Sequence, residues 1–246
     1  MKAVVLAAGR GTRLRPITDT LPKPLIEVAG TPVLLRILRG LIDAGVDEFF
    51  IVTGYLSHKI EEFFGNGSDL GVSIHYIQQQ KPDGTASALD LCRGFIKDEP
   101  FFMTYGDILV SPNHYQRLKN GYDQNSCDAL MTLNHVEDPS QGSAVYVEKV
   151  NDEDALRVQK IIEKPPEGTS ETNWNSSGVF IFSDRVFECT GKLKPSSRGE
   201  YELTDALMMM IDGGMKVCAL PLSGYWSDVG THEELQRMNR FLREVK

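Results

Sequence analysis

Cysteine is scarce in this chain of 246 residues, and the four present, Cys92, Cys127, Cys189 and Cys218, form no Cys-x-x-Cys pair. Neither a zinc ribbon nor a disulfide framework is signalled, and buried thiols are expected. Long apolar runs are missing too: Phe49-Phe50-Ile51-Val52 and Phe101-Phe102-Met103 fall far short of the roughly 20 residues that span a bilayer. No membrane segment is expected. Met1 to Gly9 lacks the full apolar core and cleavage site of a leader and predicts a buried strand, so a cytoplasmic location is expected. Positive charge is in deficit, with 26 Lys and Arg against 34 Asp and Glu and a net charge of −8. That balance excludes the broad basic surface of a non-specific nucleic-acid binder. Internal repeats and low-complexity tracts are absent, and 22 glycines with 12 prolines are an ordinary share, which excludes collagen, coiled coil and disorder.

What is present is a chain long enough for one large domain or two small ones. Short β-branched and aromatic runs predict strands at Ala3–Ala8, Glu48–Thr53, Ser73–Gln79 and Pro100–Tyr105. Helical periodicity separates them near Pro32–Ala44, His58–Phe64 and Thr85–Ile96, as in right-handed strand-helix-strand crossovers. After about residue 110 the runs Ala129–Leu133, Ala144–Glu148, Val158–Glu163 and Gly178–Phe182 suggest antiparallel pairing. Helices are expected at Glu202–Ile211 and His232–Glu244. The expected class is α/β: a Rossmann-like, mixed but mostly parallel sheet flanked by helices, with a smaller antiparallel elaboration, in a single domain over 1–246.

The charge is unevenly spread. From Lys2 to Leu25, the cations Lys2, Arg10, Arg13, Arg15 and Lys23 stand against Asp19 alone, so an anion is expected at the loop after the first strand. That loop reads Leu6-Ala7-Ala8-Gly9-Arg10-Gly11-Thr12-Arg13-Leu14-Arg15-Pro16. A dinucleotide fingerprint needs a third glycine where Leu14 stands and a helix where Pro16 interrupts, and no Gly-x-x-x-x-Gly-Lys run occurs. Small residues that let backbone amides approach phosphates remain, with Arg13 as a two-pronged donor and Lys23 as a point charge.

Gly9 to Thr18 matches Gly-x-Gly-Thr-Arg-x-x-Pro-x-Thr, and Pro22-Lys23-Pro24 follows. On these residues the chain resembles the sugar-1-phosphate nucleotidylyltransferases. The resemblance continues through Gln79 and Asp83-Gly84-Thr85-Ala86, Gly106-Asp107, Glu163-Lys164-Pro165, Ser197 to Asp205 and Trp226 to Thr231. It implies attack by a sugar 1-phosphate oxygen on the α-phosphorus of a nucleoside triphosphate, with pyrophosphate leaving. It also implies a nucleotide-binding half (1–110) and a sugar-phosphate-binding half (111–246). Leu6, Ala7, Ala8, Gly9, Gly11, Thr12, Arg13, Gln79, Gly84 and Thr85 are the implied nucleotide-binding residues. Glu163, Lys164, Ser176 and Gly178 are the implied sugar-phosphate site. Arg13, Lys23, Asp107 and Asp228 are the implied catalytic residues, the two aspartates holding Mg²⁺ from the ends of the strand-like runs Phe101–Tyr105 and Leu220–Trp226. A phosphate is already ionised near neutral pH and needs no general base, which suits an inventory without a compelling catalytic histidine. His232, beside Thr231 at a helix start, reads as part of a cap.

UTP or dTTP is favoured over GTP, and glucose 1-phosphate over other sugars. A GTP:mannose-1-phosphate guanylyltransferase and a catalytically silent nucleotide-sugar-binding regulatory subunit are the alternatives, and a homo-oligomer is left open. Ile108 stands where thymidylyltransferases of this family carry Asn, and Gly142-Ser143 stands in place of their Tyr-Gly, so the sugar contacts are remade. A glycosyltransferase would show Asp-x-Asp where Asp107-Ile108-Leu109 stands. The sequence lacks the hexapeptide repeats that carry a second activity in bifunctional relatives, and none is expected.

Overall fold

A computed structural model describes residues 1–150 and 155–245. Strand β1 (Lys2–Ala7) leads into the glycine-rich loop and a small hairpin of β2 (Glu27–Val28) and β3 (Thr31–Pro32). Helix α1 (Val33–Asp43), β4 (Glu48–Thr53), α2 (Ser57–Phe64), β5 (Ser73–Gln78), α3 (Thr85–Asp90) and β6 (Phe101–Tyr105) complete the first half. The second half holds β7 (Ile108–Val110), α4 (Asn113–Asn125), β8 (Ala129–His135), β9 (Ser143–Lys149), β10 (Leu156–Glu163) and β11 (Trp174–Phe182). It ends with α5 (Val186–Thr190), α6 (Leu203–Asp212), β12 (Val217–Pro221), β13 (Trp226–Asp228) and α7 (His232–Glu244).

Nine strands form one sheet in the order β5-β4-β1-β6-β11-β8-β12-β10-β9. The first four run parallel. β11 is antiparallel to both β6 and β8, β12 returns parallel to β8, and β10 and β9 close the far edge antiparallel. The mixed α/β architecture therefore follows the sequence reading, with the second half continuing the same sheet. β1 shows why its run is uniformly apolar: Ala3, Val5 and Ala7 enter one core, while Val4 and Leu6 enter the core on the opposite face. A strand covered on both faces cannot alternate with polar residues. On the first face, Val33, Leu34, Ile37, Leu38 and Leu41 of α1 make the buried stripe.

Two expectations are corrected. The helix expected over Thr85–Ile96 stops at Asp90, because the chain tightens into i→i−3 turns (Cys92 N to Leu89 O, 2.9 Å; Phe95 N to Cys92 O, 3.0 Å). There the Asp90 carboxylate accepts from Arg93 and from the Thr190 hydroxyl, each at 2.6 Å, and ties off the turn. The run Leu220–Trp226 is not one strand: β12 ends at Pro221, and Trp226 begins β13, which pairs with β7 in a separate two-stranded ribbon. All four cysteines are buried. Among the described residues, no helix is long and apolar enough to cross a membrane.

Candidate active site

The ribbon of β7 and β13 builds the centre of the site. Asp107 precedes β7 and Asp228 ends β13, so pairing Asp228 with Ile108, and Val229 N with the Asp107 carbonyl (3.0 Å), brings the two aspartates to one place. Lys23 Nζ pairs with Asp107 Oδ2 at 2.5 Å, with the lysine side chain only 11% exposed. Arg13 Nη2 stands 4.0 Å from Asp228 Oδ2. Glu234 lies against Asp228 as well, and burial together with this second carboxylate pushes the Asp228 carboxyl up to about 7. Asp228 Oδ1 is buried without a hydrogen-bond partner. Crowded carboxylates with an orphaned oxygen are the donor set that one hard divalent cation would satisfy. The described residues contain no cluster of three or more His, Cys, Asp or Glu that could hold a metal. Two carboxylates, completed by substrate phosphate and water, are what remain for one.

The glycine-rich loop is held in place from several sides. Gly11 adopts φ +61, and a Cβ there would press on Thr18 and Lys23, so a glycine lets the loop close over the lysine. The Thr18 hydroxyl donates to Gly11 O (2.9 Å), Leu14 is fully buried, and His232 Nε2 lies 2.9 Å from Arg15 O. His232 thus braces the loop, and the cap of α7 belongs to its neighbours. Thr231 Oγ1 accepts from Glu234 N, and Glu234 Oε2 accepts from Thr231 N and Gly230 N.

Arg13, Asp107, Asp228 and Glu234 line a cavity of about 730 Å³, within the range of small-molecule sites. At one end Gln79 donates to Gly84 O (3.2 Å). Gly84, at φ +132, passes so close to Tyr201 that a Cβ would fall 2.3 Å from Tyr201 O. This approach zips the 83–86 loop to the segment after residue 200 through Tyr201 N to Asp83 O (2.8 Å) and Ala86 N to Tyr201 O (2.9 Å). At the other end Asn175 Oδ1 accepts from Ser143 N (2.9 Å) and its amide donates to Asn134 Oδ1 (3.0 Å), a buried network beside Gly142 and Ser176. Asp138 also lines this end, its carboxyl held below the usual range by backbone N–H groups of Gly168 and Ser140.

Of the residues singled out from sequence, Leu6, Ala8, Gly9, Arg13, Gln79, Gly84, Thr85, Asp107, Ser176, Gly178 and Asp228 line the cavity. Lys23 reaches it through Asp107, and Gly11 packs behind Lys23. Ala7 is buried in the core, and Thr12 only starts a turn of 3₁₀ helix. Glu163 and Lys164 are not in the cavity wall. Glu163 is 3.4 Å from Arg198, its carboxyl raised by burial and by Glu202, whereas Lys164 is exposed with its backbone N–H on Gly142 O (2.7 Å). Glu234 and Asp138 were missed by the sequence reading. The spacing Thr231-x-x-Glu234 is that of a capping box, and nothing in it announces proximity to Asp228.

A family model described as Nucleotidyl transferase matches residues 2–245. The low-salt glycan biosynthesis nucleotidyltransferase Agl11 of Haloferax volcanii is 36% identical over 100% of this chain and 67% of its own length. A glucose-1-phosphate thymidylyltransferase of Streptomyces antibioticus is 34% identical over 99% of this chain and 67% of its own. A UDP-glucose pyrophosphorylase crystallised with UDP-glucose shares the fold, with a TM-score of 0.90 over 100% of this chain and 99% of that one at 23% identity. The sheet, the paired aspartates beside Arg13 and Lys23, and a family match from end to end agree: the chain belongs to the nucleotidyl transferase family.

Proposed function

We propose that the chain transfers a nucleotidyl group from UTP or dTTP to a sugar 1-phosphate, releasing pyrophosphate and forming a nucleoside diphosphate sugar. Glucose 1-phosphate is the acceptor that the names of the relatives favour. The observation that carries the reading is the convergence of Asp107, Asp228 and Arg13 in one cavity, with Lys23 bound to Asp107 behind its wall. Both reactants are anions, so the chemistry asks for positioning and charge neutralisation rather than for a base.

In this reading Gln79, Gly84 and Thr85 seat the base, and the amides of the loop from Ala8 to Thr12 seat the triphosphate. Arg13 grips triphosphate oxygens with a planar fork. Lys23 holds Asp107 in place before substrates arrive and adds positive charge where the leaving group departs. Asp107 and Asp228 hold Mg²⁺, which when bound supplies charge neutralisation at the reacting phosphate. Lys164, tied through its backbone to the wall residue Gly142, reaches the sugar phosphate from the rim, Ser176 accepts from or donates to sugar hydroxyls, and Glu163 holds Arg198 behind this edge rather than lining it. Gly178 is a glycine because its backbone, at φ +82, passes the Tyr105 ring so closely that a Cβ would lie 2.6 Å from it. Residues 1–110 are the nucleotide half and 111–246 the sugar-phosphate half of one domain. A cytoplasmic setting follows, where charged phosphates are made and kept.

A pyrophosphate-release assay over a matrix of nucleoside triphosphates and sugar 1-phosphates tests this. Release that needs both substrates and peaks with UTP or dTTP is expected. Release with GTP and mannose 1-phosphate alone would move the assignment to a guanylyltransferase, and none with any pair would leave a binding subunit.

A further inference from the structure

A second cavity, of about 510 Å³, opens beside the sugar end of the first and shares two wall residues with it, Val136 and Trp226. Both tryptophans of the chain line it. Trp174 faces His135 across the β8–β11 pairing, with ring centroids 5.6 Å apart at 81°. Trp226 borders both cavities and is held by its indole N–H on Ser177 O (2.8 Å).

The charges of the two cavities differ in sign. Asp107, Asp138, Asp228, Glu200 and Glu234 line the first against one cation, Arg13. Among the described residues no carboxylate lines the second, and Arg237 on α7, the full cation in its wall, makes no ion pair with any of them and only a marginal 3.5 Å contact with the Ser227 hydroxyl. Aromatic faces suit the C–H faces of a sugar, and an unpaired guanidinium suits an anion. An acidic substituent held away from the phosphate-binding Arg13 and Lys23 would be repelled by the remaining carboxylates of the first cavity and attracted to Arg237 in the second.

Resting on the nucleotidylyltransferase reading, we infer that the acceptor is a sugar 1-phosphate carrying an anionic group remote from C1, a carboxylate or a second phosphate, seated against Arg237 between Trp174 and Trp226. The extended cavity is then a specificity site for an acidic sugar.

The test compares glucose 1-phosphate with glucuronic acid 1-phosphate (carboxylate arm) and glucose 1,6-bisphosphate (phosphate arm), in wild type and Arg237→Gln. One readout is kcat/KM for pyrophosphate release with the nucleoside triphosphate that turns over fastest. The other is quenching of the fluorescence of Trp174 and Trp226. One acidic sugar should exceed glucose 1-phosphate by about tenfold in kcat/KM, the factor one charged hydrogen bond supplies. Arg237→Gln should cancel that advantage and leave turnover of glucose 1-phosphate within about twofold. Equal or better use of glucose 1-phosphate by the wild type, or an equal loss for all three sugars in Arg237→Gln, overturns the inference. Should no sugar be turned over, the functional reading falls and binding alone decides. Tighter quenching by an acidic sugar that Arg237→Gln removes still supports the cavity, and equal quenching by all three overturns it.

Discussion

Arg13→Lys separates a transition-state contact from a surface charge. The Arg13 side chain is 65% exposed and meets Asp228 only at 4.0 Å, beyond hydrogen-bond distance. Such a pair contributes at most about 1 kcal/mol to stability, and a lysine keeps the charge, so the melting temperature should move little. Catalysis is another matter, because an ammonium cannot copy a planar fork across triphosphate oxygens. Charged hydrogen bonds contribute about 1.5–3 kcal/mol each, so losing one or two costs on the order of ten- to several-hundred-fold in kcat/KM. Arg10→Lys is the internal control: the Arg10 guanidinium lies 5.8 Å over the Tyr55 ring, a contact an ammonium also makes. Steady-state pyrophosphate release and a thermal melt on all three proteins decide the matter. Wild-type kcat/KM in Arg13→Lys, or a loss matched by a large fall in melting temperature, would refute the assignment.

Asp107→Asn and Asp228→Asn should each abolish turnover, measured by pyrophosphate release at ordinary Mg²⁺. Metal-free Asp228→Asn should also be more stable than wild type at pH 8. The Asp228 carboxyl sits at about 7 against an ordinary 3.8, so its stabilising neutral form is complete below pH 4 and lost as pH rises through 7. Denaturant titration should show a gap of about 4 kcal/mol at pH 8 that closes below about pH 4. Lys164→Ala should raise the KM for the sugar 1-phosphate and spare that for the nucleotide, since the exposed side chain supports no packing; initial-rate kinetics with each substrate varied will show which KM moves. Gly84→Ala forces a Cβ into the Tyr201 backbone at φ +132, so calorimetry should show a loss of about 2–4 kcal/mol, and the nucleotide KM should rise as the 83–86 loop unzips.

The sheet was legible where a single strand carries enough apolar residues to declare itself. Lys2–Ala7 and Glu48–Thr53 are six-residue runs buried on both faces, and their signal does not depend on the partner. The ribbon that joins the aspartates was not legible, because Ile108–Val110 and Trp226–Asp228 are three residues each, too short for a period. Their pairing is a tertiary fact. Asp107 and Asp228 were found through motifs, whereas the reason they meet lies in that register. Glu234 shows the same limit: its spacing from Thr231 announces a cap, but the cap places a carboxylate against Asp228 only because β13 delivers the chain there. The second cavity was out of reach for a similar reason, since Trp174, Trp226 and Arg237 come from three elements.

The central claim is that an oxygen of the sugar phosphate becomes the bridge of the product. Sugar 1-phosphate labelled with ¹⁸O in its phosphate, incubated with UTP or dTTP and Mg²⁺, tests this directly by ³¹P NMR and mass spectrometry. All of the label should be retained in the nucleoside diphosphate sugar, on the phosphorus attached to the sugar and in the bridge, with none in pyrophosphate. Label in pyrophosphate, or nucleoside triphosphate cleaved without any labelled nucleoside diphosphate sugar, would contradict it.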